Sequence, residues 1–218
     1  MRTLLALGVA ALAYSASFGQ VEPRGENPAI RVNTLLGSTG LITVPTSTTT
    51  RVERFQLGTA FGKDIRTVSV NWGIFDSIEI GGAVVDRNNQ NNKVIATGKV
   101  TIIPQNFEWL ELGFGAIDPF DAINQTVYGV ASVNVRVPTQ APESVVGLRL
   151  HIGYGTGIYR DKVIGGEVFL GNRFSVIAGY NGVDTNAALR YVHDDALRLQ
   201  LGTQAKVIYF STTYGLSF

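Results

Sequence analysis

The chain lacks cysteine, has only two histidines, is poor in charge, and contains no apolar run long enough to cross a bilayer as a helix. Each shortage closes off a class of function. Without cysteine there are no disulfides to staple an exported fold. With His151 and His193 as the only imidazoles, zinc-type ligand spacing is not available. Neither a metal nor any other cofactor is expected. The longest apolar run, Leu4 to Ala13, falls well short of the roughly 20 residues a membrane helix needs. Net charge is +1, so no global field argues for a nucleic-acid partner. Charged residues make up 16 % against about 25 % in soluble domains.

What is present fits one setting. Among 218 residues, 25 are glycine, and mean hydropathy is +0.15. Such values without a long apolar run point to strands that alternate apolar and polar residues against lipid. Arg2, the run Leu4 to Ala13 and the small residues Ser15, Ala16 and Ser17 have the layout of a secretory signal peptide over residues 1–19. Cleavage after Ser15, Ser17 or Gly19 is equally compatible with it.

Residues 20–53 are rich in Pro, Thr, Asn and Gly and read as an extended periplasmic lead-in. From Arg54 the pattern becomes strands at regular spacing, and no helical period survives. Twelve are expected: Arg54–Gly62, Ile65–Ile74, Ser77–Val85, Lys93–Ile103, Phe107–Ile117, Gln125–Arg136, Ser144–Gly155, Lys162–Leu170, Arg173–Tyr180, Asn186–Val192, Ala196–Thr203 and Lys206–Phe218. Ten remain compatible if two hairpins merge into one irregular segment. The fold class is therefore all-β: an antiparallel up-and-down transmembrane barrel over residues 54–218.

Alternation is clearest in four segments. Val68, Val70, Trp72 and Ile74 oppose Thr67, Ser69, Asn71 and Gly73; Val146, Leu148, Leu150, Ile152 and Tyr154 oppose Gly147, Arg149, His151 and Gly153. Leu197, Leu199 and Leu201 oppose Arg198, Gln200 and Gly202. In the last strand Ile208, Phe210, Thr212, Tyr214, Leu216 and Phe218 share one face. Periodicity alone does not say whether the apolar face turns outward. The opposite face decides it, being Gly, Ser, Thr and Asn with single charges, suited to a hydrogen-bonded lumen. The alternative is a secreted soluble barrel binding a small apolar ligand, with the Leu and Val faces inward.

This parity sends Glu79, Lys99, Glu111, Arg149, His151, Glu167, Arg190 and Arg198 into the lumen. Isolated charges there cost several kcal/mol, so they must pair. They form either a polar conduit or a salt-bridged plug. Trp72, Phe174, Tyr191 and Phe218 fall at expected periplasmic strand ends, as half an aromatic girdle. Trp109 and Phe107 fall on lumen parity, so a bulge shifts them or they fill the interior. His151 has no nearby serine in sequence at His-x-Ser spacing, and His193-Asp194-Asp195 reads as a solvated turn. No enzyme is expected.

Tyr214, Leu216 and the terminal Phe218 resemble the C-terminal aromatic signal read by the outer-membrane barrel assembly machinery. The element Gly40-Leu41-Ile42-Thr43-Val44-Pro45-Thr46, leading into Phe55-Gln56-Leu57-Gly58, resembles the start of the YjbH-like outer-membrane proteins. That resemblance spans about residues 37–62 and implies a link to exopolysaccharide production or export. The expected protein is thus a non-enzymatic barrel of the cell outer membrane, structural or passively conducting. Its partners would be membrane lipids, the assembly machinery and polysaccharide.

Overall fold

The structure, a computed structural model, describes residues 31–87, 92–105, 107, 109–135, 145–171 and 173–217. The expected signal peptide and Phe218 lie outside the described residues. Twelve strands follow one another: β1 Arg54–Gly62, β2 Ile65–Phe75, β3 Ile78–Arg87, β4 Lys93–Ile102, β5 Leu110–Ile117 and β6 Thr126–Val135. The second half continues with β7 Val145–Gly155, β8 Asp161–Leu170, β9 Phe174–Tyr180, β10 Thr185–Val192, β11 Leu197–Gln204 and β12 Val207–Ser217. Each pairs antiparallel with its neighbours in sequence, and β1 pairs with β12 to close the barrel. Closure leaves no sheet edge unpaired, the condition for a sheet in lipid. The ten-strand alternative is excluded.

The faces divide as the pleat requires. On β7, Leu150, Ile152 and Tyr154 are 46 %, 62 % and 60 % exposed, while Arg149 and His151 are 1 % and 2 %. The same division holds for Val68, Val70 and Trp72 on β2 and for Ile208, Phe210, Tyr214 and Leu216 on β12, all exposed. Apolar side chains therefore line the outside, and the soluble alternative with those faces inward is overturned. No helix among the described residues is long and apolar enough to cross a membrane; the crossing is made by strands.

The end where β1 begins and β12 finishes is termed the near end, and the opposite one the far end. At the near end Phe55 stacks on Trp72 at 5.5 Å and Phe174 packs on Tyr191 at 5.0 Å, each a purely apolar ring beside one with a polar edge, as in an aromatic girdle. Phe107 and Trp109 also lie outside, 49 % and 52 % exposed. At that exposure neither ring fills the interior. Strand β5 starts only at Leu110, after a turn in which Phe107 N–H donates to Pro104 O and Leu110 N–H to Phe107 O. Parity counted back from Glu111 fails because those residues precede the strand.

The lumen has two zones. Toward the far end it is apolar, with Ala60, Ile65, Val85, Ile95, Ile117, Tyr128, Val163 and Ile177 buried in one cluster. Toward the near end it is polar and charged. Residues 31–50 run through both zones, and every one of them is buried. The expected lead-in is, over this stretch, the filling of the barrel. The physical reason is legible in its composition: Leu35, Leu36, Leu41, Ile42 and Val44 join the apolar cluster, while its Ser and Thr hydroxyls meet the polar wall. Burying an aliphatic side chain of this size is worth about 1.5–3 kcal/mol, so water would be a poor place for the segment.

Candidate functional site

The eight expected lumen residues all turn inward and are buried. Six of them form three ion pairs. Lys99 Nζ lies 3.7 Å from Glu79, Arg149 Nη2 lies 2.5 Å from Glu111, and Arg190 Nη1 lies 2.8 Å from Glu167. Strand register makes this possible. Glu79 is directly opposite Lys99 on β3–β4, and Arg149 opposite Glu167 on β7–β8. Arg149 nevertheless bonds Glu111, two strands away, and Glu167 takes Arg190 and the Ser175 hydroxyl. Arg198 stands apart near the near end, donating to Ala196 O at 3.3 Å and Asp195 O at 2.7 Å.

Ion pairing alone would leave these carboxylates with unused lone pairs. The N-terminal segment supplies the missing donors. Glu79 accepts from Thr39 N–H at 3.0 Å, Thr50 N–H at 2.7 Å and the Thr50 hydroxyl at 2.8 Å. It also accepts from the hydroxyls of Ser38 and Thr39. Glu111 accepts from Ser47 Oγ at 2.9 Å and Thr48 Oγ1 at 3.2 Å. Lys99 donates to Thr39 O at 2.8 Å and Arg190 to Gly40 O at 3.4 Å. Toward the far end Asn181 and Asn186 both donate to Thr43 Oγ1. Asn71 reaches Asn33 Oδ1 at 3.0 Å and also Gly37 O.

The wall is cut back where the segment lies closest. A Cβ on Gly113 would stand 2.6 Å from Ser47 Cα, and one on Gly165 would stand 2.6 Å from Leu41 Cδ1. Both positions need glycine for close approach rather than for an unusual backbone angle. A cavity of about 10 Å³ between Asn33–Leu35 and β1, β2 and β12 holds one water at most. Among the described residues, 31–50 fill the lumen.

The sequence brought out the charged wall but missed its partners, chiefly Ser38, Thr39, Thr43, Ser47, Thr48 and Thr50. The signal was the juxtaposition of an apolar Leu41-Ile42-Thr43-Val44 with a hydroxyl run in a segment otherwise read as solvated. It also missed Ser132, whose Oγ lies 2.7 Å from His151 Nδ1 across β6–β7. This is half of a nucleophile arrangement. Among the described residues His151 Nε2 has no hydrogen-bond partner and no carboxylate orients the ring, and Ser132 Oγ already accepts Ser47 N–H at 3.1 Å. Among the described residues no cluster of His, Cys, Asp or Glu is arranged to hold a metal. Tyr214 and Leu216 of the expected assembly signal face outward on β12; Phe218 lies outside the described residues.

Comparison with known structures places the architecture. A KdgM porin in complex with disordered oligogalacturonate matches with a TM-score of 0.51 at 10 % identity, over 76 % of this chain and 99 % of that one. The fold is that of an outer-membrane porin. A second KdgM porin structure matches at 0.49 and 9 % identity, over 76 % and 99 % of the two chains. An outer-membrane channel from Pseudomonas putida F1 matches at 0.43 and 10 % identity, over 79 % and 98 %. No protein family and no curated relative matches the sequence.

Proposed function

We propose that this protein is a non-enzymatic barrel of the bacterial outer membrane: a narrow conduit held closed by its own residues 31–50, serving envelope polysaccharide. The observation that carries this is the pairing of an outward apolar surface with a lumen in which that segment bonds Glu79, Glu111, Lys99 and Arg190. Closure dominates the resting state. Leu35, Leu36, Leu41, Ile42 and Val44 are each at most 2 % exposed, so withdrawing the segment would return all five to water, which opposes opening.

The polysaccharide part rests on resemblance. Gly40–Thr46 resembles the entry element of the YjbH-like proteins, and one porin of the same fold is described with oligogalacturonate. Absence of enzymatic activity is supported by the unoriented His151 and by the lack of any second imidazole near it. Lipids would contact the outward face, and the barrel assembly machinery would read the final strand.

The test is fractionation followed by electrophysiology. Outer membranes should contain a band that migrates faster unboiled than boiled, and the purified protein should give almost no current in planar bilayers. A soluble periplasmic protein without a mobility shift would contradict the membrane reading. A large constitutive current would contradict closure.

A further inference from the structure

The contacts of residues 31–50 have the character of a receptor and its ligand. The segment folds back on itself, with bridges at Asn33–Thr39 and Gly40–Pro45 and internal backbone bonds such as Leu35 N–H to Ile42 O and Leu41 N–H to Val44 O, and presents the folded-back chain to the wall. Its seat is made by the wall: carboxylates at Glu79 and Glu111, amides at Asn71, Asn181 and Asn186, and glycine sockets at Gly113 and Gly165. Recognition is also directional. Thr43 sits toward the far end with Asn181 and Asn186, whereas Arg31 O accepts from Gln56 Nε2 and Thr49 donates to Asp76 O at the near end. The path thus enters at the near end, reaches toward the far end and returns to exposed Glu53 just before β1.

We infer that the barrel wall, residues 54–217, is a peptide receptor whose resident ligand is residues 31–50, held by its own contacts rather than by the covalent link to β1. This rests on the conduit reading for its consequence, since occupancy of the seat is what closes the lumen. The chain to which the wall is fitted carries Gly-Leu-Ile-Thr-Val-Pro-Thr at its centre, so a separate peptide of the same sequence is a ligand of the emptied barrel.

The experiment cuts the link after folding. A protease recognition sequence is inserted between Glu53 and Arg54 of the full chain, and the folded protein, verified by its unboiled mobility, is cleaved. The N-terminal fragment should stay bound through extensive dilution, with roughly nine-tenths retained over hours, as slow dissociation of a tight ligand requires. After its release by mild denaturant, a synthetic peptide of residues 31–50 should rebind, and Gly165→Met should weaken rebinding by about tenfold or more. A fragment lost at once on cleavage, or a peptide that does not return to a barrel of unchanged mobility, overturns the proposal. Current reports separately on the conduit reading. A verified empty barrel that conducts supports it, and one that does not contradicts it while the binding result stands. Should the insertion prevent folding, amide exchange on the unaltered chain decides: protection at Thr39 and Thr50, whose N–H groups donate to Glu79, equal to that of β2 is expected, and free exchange there overturns the inference.

Discussion

Glu79 carries more of the interior than any other side chain in the lumen. It is 1 % exposed and is met by Lys99 and by donors from Ser38, Thr39 and Thr50. Removing it strands the Lys99 ammonium and several buried donors together. Truncating one member of a buried, hydrogen-bonded pair typically costs about 3–5 kcal/mol. Glu79→Ala should therefore lower the temperature at which the fast unboiled band converts to the slow one, and Glu79→Gln should lower it less. An unchanged conversion temperature in Glu79→Ala would mean the network is not formed. A different kind of carboxylate sits at the near end. Asp194 accepts from Leu197 N–H and Ala196 N–H at 2.7 and 2.8 Å, and these backbone donors hold its pKa below the ordinary aspartate value. Because the folded value is depressed, its small contribution is present above the unfolded pKa and disappears as pH falls through the folded one. Titration of Asp194 by NMR should show the low value, and Asp194→Asn should remove the acid-side dependence of that hairpin's amide exchange.

Elements differ in how far the sequence exposed them. Strands were legible because period-two patterning is dictated by the pleat, and the ends of β1 fall at Arg54 and Gly62 in both readings. The start of β5 was not. Phe107 and Trp109 continue an apolar look into a turn, and it takes the turn bonds to Pro104 O and Phe107 O, with Asn134 N–H donating to Trp109 O, to mark where the pairing begins. The wall charges were legible for the same reason as the strands, since parity alone turns Arg149 and Glu167 inward. Residues 31–50 were not, because an irregular segment has no period. What fixes its place is complementarity to distant residues, such as Ser47 to Gly113 and Thr43 to Asn186. Gly113→Val tests that complementarity at the element scale. Its side chain would enter the space of Ser47, with a lesser crowding of Val130 Cγ1 on β6. The expected result is a barrel that still assembles but shows faster exchange at residues 46–50. Unaltered protection would show that the socket does not seat the segment.

At the scale of the whole molecule the account joins two opposite surfaces. An outside of Leu, Ile, Val and aromatic side chains suits lipid, and an inside of paired charges, hydroxyls and glycine sockets suits one particular segment of the same chain. Neither surface makes sense alone. A polar interior without the segment would leave Glu79 and Glu111 short of donors, and a filled interior without the apolar outside would have no reason to close into twelve strands. The most direct measurement uses the chain's lack of native cysteine. A Cβ on Gly58 would lie 3.2 Å from Asn33 Cβ, close to the roughly 3.5–4.5 Å separation of a disulfide. In Asn33→Cys/Gly58→Cys, expressed and recovered in outer membranes, an intramolecular bridge should form nearly completely and shift the mobility of the boiled, unreduced protein. A correctly assembled, heat-modifiable barrel whose two thiols remain free would contradict the central claim that residues 31–50 occupy the lumen.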